Sequence, residues 1–114
     1  QVSITDERVR LARDYLDAYS FEMHFRDQDL AQRIGISIAQ LNRIFVKDIG
    51  VTPTAYLNDR KVRVAKRALI NTSAPIKQIA YELGFKDPAN FTNWFQTRVH
   101  HSPREFRRLA MTSS

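Results

Sequence analysis

Apolar residues recur along this chain at three- and four-residue spacing, and no stretch alternates convincingly in the period of two that a strand requires. In "TDERVRLARDYLDAY", Val9, Ala12, Tyr15, Leu16 and Tyr19 mark one face of a helix, and Thr5 before an acidic turn predicts its start. Leu30, Ala31 and Ile34 mark a short second helix, with Asp27 as its expected cap. Gly35 ends it, because glycine enters the left-handed conformation without a Cβ penalty. Ser37 predicts the cap of a third helix whose Leu41, Ile44 and Phe45 face inward. Thr52-Pro53 opens a long fourth helix to about Ile70, along the stripe Tyr56, Leu57, Val62, Ala65 and Leu69. Ile76, Ile79, Ala80 and Leu83 form a short fifth helix stopped by Gly84, and Asp87-Pro88 opens a sixth. Ser102-Pro103 opens a seventh through Phe106 and Leu109, before a tail, "MTSS", expected to fray. The pattern predicts an all-α chain of about seven helices.

Part of that pattern is written twice. "DLAQRIGISIAQLNRIFVKDIGVTPTAYL" (29–57) aligns with "QIAYELGFKDPANFTNWFQTRVHHSPREF" (78–106). Ala31, Ile34, Gly35 and Ile36 fall on Ala80, Leu83, Gly84 and Phe85 at an offset of 49. Leu41, Phe45, Pro53 and Tyr56 fall on Phe91, Phe95, Pro103 and Phe106 at an offset of 50, so one residue is inserted in the turn. Two copies are too few for a solenoid, so this is a duplicated supersecondary unit. Each copy reads as short helix, glycine turn and second helix, the helix-turn-helix arrangement. The expected organisation is a first subdomain over 1–51, a linker helix over 52–71 and a second subdomain over 72–114.

Charge adds direction to this frame. Among 114 residues, 1–50 hold 7 Lys/Arg against 8 Asp/Glu, a net of −1, whereas 51–114 hold 11 against 4, a net of +7. A basic half suits a polyanion, nucleic acid before an anionic membrane surface. Cysteine is absent, which excludes disulfides, thiolate metal sites and thiol nucleophiles. No apolar run approaches the roughly 20 residues of a membrane span. Without an initiator methionine, the chain is expected to be part of a longer protein.

In "IKQIAYELGFKDPANFTNWFQTRVHHSPREFR", residues Ile76, Ile79, Ala80, Gly84, Phe85, Phe91, Phe95, Ser102, Pro103, Phe106 and Arg107 stand in a fixed register. That register resembles the signature region of the AraC/XylS-type transcriptional regulators. The first copy is similar through Leu30-Ala31, Ser37, Leu41, Arg43, Phe45, Gly50, Thr52-Pro53, Tyr56 and Arg60. The resemblance implies two helix-turn-helix subdomains joined by a long helix, each inserting its second helix into a DNA major groove. It further implies a bacterial, cytoplasmic regulator, nucleoid-associated when bound, whose partner is double-stranded promoter DNA. A contact with RNA polymerase and an N-terminal sensing or dimerising domain are expectations of the same kind. One position departs: the connector before Ser102-Pro103 carries His100 where Gly50 stands in the first copy, so a strained turn is expected there.

A reading helix needs an apolar stripe for anchorage and polar side chains opposite, since the major groove displays a distinct pattern for each base pair. In the second copy Phe91, Phe95 and Val99 are the anchor. Ala89, Asn90, Asn93, Gln96 and Thr97 are the expected base contacts, with Gln96 and Thr97 divided between bases and phosphate. Amides bond adenine edges in pairs, and an alanine methyl suits a thymine methyl. In the first copy Ala39, Asn42 and Arg43 are the expected base contacts, beside Val46; Arg43 suits guanine or a phosphate. Ile38 and Ala39 suit thymine methyls or helix packing equally. Ser37, Lys47, Lys86, Arg98, Ser102 and Arg104 are the expected phosphate contacts, from a pool including Arg60, Lys61, Arg63, Lys66, Arg107 and Arg108. Arg60 and Arg107 have a second use, on backbone carbonyls or an acid. If both helices enter one face of a duplex, two unlike boxes lie about one turn, roughly 34 Å, apart.

Other chemistry finds little support. His24, His100 and His101 lack metal-site spacing, no cofactor is implied, and no nucleophile motif, phosphate-cradling glycine loop or carboxylate pair points to an enzyme. Trp94 reads as packing rather than a base-stacking platform. The rival reading is a helical protein-interaction module that uses the same frame without reading DNA.

Overall fold

The computed structural model describes residues 6–21 and 23–112. They form seven helices and no strand: α1 (Glu7–Asp17), α2 (Asp27–Ile34), α3 (Ile38–Ile49), α4 (Pro53–Asn71), α5 (Ile76–Glu82), α6 (Pro88–Val99) and α7 (Pro103–Thr112). The chain divides into two compact units, residues 1–60 and 61–114, so α4 contributes its first part to one and its remainder to the other.

In unit 1, α1 packs on α2 and α3, and α2 packs on α3. Val9, Ala12 and Leu16 meet Leu30, Ala31, Leu41, Ile44, Phe45 and Leu57 in one buried cluster. Tyr15 and Tyr19 are half-buried at its edge. In unit 2, α6 packs on α5 and α7, and the buried residues are Ala65, Leu69, Ile79, Ala80, Leu83, Phe91, Phe95 and Pro103. Phe45 meets Tyr56 edge-on at 5.6 Å between ring centroids, and Phe95 meets Phe106 edge-on at the same 5.6 Å. The sequence repeat is therefore a repeat of packing.

The turns repeat their closing bond. Gly35 is left-handed at φ 87°, and the Ile36 N–H donates to the Ala31 carbonyl at 3.0 Å. Gly84 has φ 90°, and the Phe85 N–H donates to the Ala80 carbonyl, again at 3.0 Å. Ser37 and Asp87 cap the helices that follow, accepting from the Gln40 and Ala89 N–H groups. Thr52 and Ser102 cap α4 and α7 by accepting from the Ala55 and Glu105 N–H groups at 3.2 and 3.1 Å. His100 takes up the left-handed conformation of Gly50, with φ 69° against 101°, and donates its N–H to Gln96 as Gly50 does to Val46. The expected strain is real in kind, but the connector keeps its shape.

Three local expectations change. The described cap of α1 is Asp6, whose carboxylate accepts from the Arg8 N–H at 2.9 Å and also pairs with the Arg8 guanidinium; Thr5 lies outside the described residues. Asp27 is the first helical residue of α2, not its cap; Arg26 holds that position without a side-chain bond, and Asp27 and Asp29 instead complement the helix dipole. Helix α7 continues through Met111 and Thr112, where the Thr112 hydroxyl donates to the Leu109 carbonyl; Ser113 and Ser114 lie outside the described residues.

Open space surrounds the place where a Cβ would stand at Gly35, so a methyl group there meets only backbone strain. Gly35→Ala is expected to lower unfolding stability by about 1–2 kcal/mol. His100→Gly is expected to leave it unchanged or raise it by up to about 1 kcal/mol. Urea unfolding of both variants checks the pair, and a neutral Gly35→Ala would refute the account.

Candidate nucleic-acid interface

Helices α3 and α6 both hide one stripe and present the opposite one. On α3, Leu41, Ile44 and Phe45 are buried, whereas Ala39, Arg43, Val46 and Lys47 are exposed. On α6, Phe91 and Phe95 are buried, whereas Ala89, Asn90, Asn93, Gln96, Thr97 and Arg98 are exposed. Asn42 differs from the other expected base contacts in being half-buried, as is Thr92 at the matching position. Val46 stands in the exposed row where α6 has Gln96; a search for polar residues passes over it, and helical spacing from Ala39 and Arg43 finds it.

The Thr97 hydroxyl donates to the Asn93 carbonyl at 2.8 Å. Its proton is thus engaged, which leaves the exposed hydroxyl oxygen as an acceptor. Ser37 and Ser102 hold their caps at the starts of α3 and α7.

The cations sort into groups by what they touch. Arg60 donates to the Leu16 and Tyr19 carbonyls at 3.2 and 2.9 Å, with its guanidinium 4.5 Å from the Phe21 ring centroid. Arg107 donates to the Leu69 and Thr72 carbonyls at 3.0 and 3.3 Å. Both tie down helix C-termini and leave the phosphate pool. Lys61 is half-buried, 4.4 Å from the Phe85 ring centroid and 5.4 Å from that of Trp94. Burial, and then the charge of Arg98, hold its ammonium below the ordinary lysine value. Arg98 lies 4.8 Å from the Trp94 ring centroid and donates to the Trp94 carbonyl at 3.3 Å, which keeps an exposed charge on the side of α6. Trp94 also meets Phe85 at 5.3 Å, so it packs. Arg108 reaches Glu105 at 3.7 Å. Lys47, Lys86 and Arg104 are exposed and enter no ion pair among the described residues.

His101 Nδ1 lies 2.9 Å from Glu105, and that hydrogen bond holds the Glu105 carboxyl below its ordinary value. Among the described residues no group of three His, Cys, Asp or Glu side chains can hold a metal ion, and no helix is long and apolar enough to cross a membrane.

Two capped helix-turn-helix units, each with a seated second helix, define the class. The chain belongs to the helix-turn-helix domain family, whose pattern it matches over residues 30–109, and within it to the AraC type. It is similar to the lactose operon transcription activator of Staphylococcus xylosus, 31% identical over 107 residues that cover 94% of this chain and 38% of that protein. It is also similar to the arabinose operon regulatory protein of Escherichia coli, 29% identical over 102 residues that cover 90% of this chain and 35% of that protein. The chain thus spans little more than a third of these relatives' length. In structure it resembles the C-terminal domain of AraT, a response regulator from Geobacillus stearothermophilus, with TM-score 0.85 and 24% identity over 94% of this chain and 88% of that one. It likewise resembles the DNA-binding domain of AdpA solved with a target DNA, with TM-score 0.76 and 23% identity over 92% and 93%. At those identities the structural likeness speaks for the fold.

If Arg60 and Arg107 serve carbonyls, Arg60→Met and Arg107→Met each lower stability by about 1.5–3 kcal/mol, the worth of hydrogen bonds from a charged donor. Lys47→Ala and Lys86→Ala are expected to stay within about 0.5 kcal/mol of the parent chain. Denaturant unfolding of the four variants separates the two groups.

Proposed function

We propose that this chain is the DNA-binding region of a bacterial transcription regulator, which binds double-stranded promoter DNA sequence-specifically and lays α3 and α6 each in a major groove. The observation that carries this reading is the exposed row on each second helix, directly opposite its buried anchor. On α6 the row is Ala89, Asn90, Asn93, Gln96 and Thr97, which offers amides, a hydroxyl acceptor and a methyl to base edges. On α3 it is Ala39 and Arg43, with Asn42 behind them as a half-buried second contact. Lys47, Lys86, Arg98 and Arg104, with the helix starts at Ser37 and Ser102, hold phosphates and set register.

The two reading subdomains are residues 1–51 and 72–114, with 52–71 as the helix that joins them. The chain acts by binding and not by catalysis, in the bacterial cytoplasm. In the full-length protein a sensing or dimerising N-terminal domain and a contact with RNA polymerase complete the regulator.

In-vitro selection from a random duplex pool tests the reading. A bipartite consensus with unlike halves is expected. Asn90→Ala with Asn93→Ala flattens one half and weakens binding by about 1–3 kcal/mol for each amide–adenine pairing removed, with folding retained. Lys47→Ala or Lys86→Ala weakens all sequences alike and lowers the slope of log affinity against log salt by about 0.9. A folded double-asparagine variant with unchanged preference would favour the protein-interaction module. Salt-sensitive binding with no selected sequence would mark a nonspecific coat.

A further inference from the structure

Helices α3 and α6 are built on one register, and the chemistry of their exposed rows differs. Each spans 12 residues and starts from a capping side chain, and the two align residue for residue at an offset of 50. In that register Ala39 matches Ala89, Arg43 matches Asn93, and Val46 matches Gln96. Val46 is 42% exposed, and Ile38, at the start of the same helix, is 38% exposed. Ala39, Arg43 and Val46 are spaced i, i+4, i+7, so an arginine is framed by methyl-bearing side chains along one line. The apolar stripe that seats α3 lies elsewhere, on the buried Leu41, Ile44 and Phe45. Core packing therefore does not account for Val46.

Resting on the DNA-reading assignment above, we propose that unit 1 reads thymine through its 5-methyl group, with Val46, Ile38 and Ala39 as the contacting side chains beside Arg43. The thymine methyl is the one apolar group that base edges present in the major groove. Apolar side chains set beside Arg43 and Lys47 suit that surface, since the cations meet phosphate or guanine while the methyls meet the methyl. Unit 2, with Gln96 at the position of Val46, has an amide there and favours adenine instead. The two boxes then differ in the kind of contact that reads them.

Uracil in place of thymine removes the 5-methyl group and leaves base pairing intact, which gives a direct probe. The 114-residue chain is bound to its selected duplex at fixed salt, and each thymine is replaced by uracil in turn, with affinity read by fluorescence anisotropy. At one or two positions the replacement is expected to weaken binding about three- to fivefold, the worth of one methyl taken from water. Val46→Ala or Ile38→Ala weakens binding to the thymine site by a similar factor and abolishes the thymine–uracil difference at those same positions. Circular dichroism is expected to stay unchanged, both side chains being outside the core. Val46→Gln shifts the selected base at the coupled position toward adenine. Equal affinity for thymine and uracil throughout, with the selected sequence still preferred over random DNA, overturns methyl reading and leaves base reading standing. A uracil penalty that survives both alanine variants assigns the methyl contact to other residues and also overturns the proposal. Failure to select any sequence removes the DNA-reading assignment, and the proposal with it.

Discussion

Each exposed row owes its orientation to a turn that contains none of its residues. A residue at positive φ ends the supporting helix, and an N–H to carbonyl bond, Ile36 to Ala31 or Phe85 to Ala80, closes the loop before the next helix begins. With the start of α3 or α6 fixed in this way, the 3.6-residue period does the rest. If Leu41 and Phe45, or Phe91 and Phe95, fall into the core, the side chains roughly half a turn away must face outward. The caps at Ser37 and Asp87 sharpen this by fixing where each helix starts, because a slip of one residue turns every side chain by about 100°. A reading surface made this way needs no stabilising contact of its own, which leaves its residues available for recognition.

The two arginine clamps follow a different logic. Arg60 follows Tyr56 by four residues, and Arg107 follows Phe106 by one, so the two are not equivalent in the repeat. The two offsets differ by three, however, which is about one helical turn on the same face. A long side chain from either position reaches carbonyls at the end of the unit's first helix, α1 in one case and α4 in the other. Those carbonyls carry partial negative charge and have room for a further donor, so a guanidinium adds hydrogen bonds and complements the helix dipole. What the duplicated units share here is a physical requirement met from two neighbouring positions.

This explains where sequence reading stops. Helix periods, glycine stops and the caps Ser37, Asp87 and Ser102 are local, and all are legible because each depends on residues within one turn. The exposure of Asn90, Asn93, Gln96 and Thr97 follows from the same period. The fate of a cation is not local: Arg60 and Lys47 look alike in a chain, and only the arrival of the α1 C-terminus beside one of them separates their roles. Spacing puts Asn42 with the exposed row, yet it sits far enough round α3 to be half-buried. Thr5 and Asp27 are reasonable caps by residue type. The described cap of α1 is Asp6, in double contact with Arg8, and the first acidic turn of α2 begins one residue earlier than a cap at Asp27 allows.

The division between frame and reading row also accounts for how little sequence the fold requires. The AraT domain shares only 24% identity with this chain, yet its TM-score is 0.85. Such drift is tolerated when a frame is held by a few positions of special kind: left-handed turn residues, helix caps and a seated aromatic pair. His100 marks the limit of that tolerance, since a histidine there keeps the left-handed backbone and its N–H bond to Gln96 at some strain. The exposed rows are under no such constraint. Valine and glutamine occupy matching, exposed places on α3 and α6 without a difference in the helices that carry them. A duplicated frame can therefore diverge in its two exposed rows independently, without a change in the turns and caps that hold them.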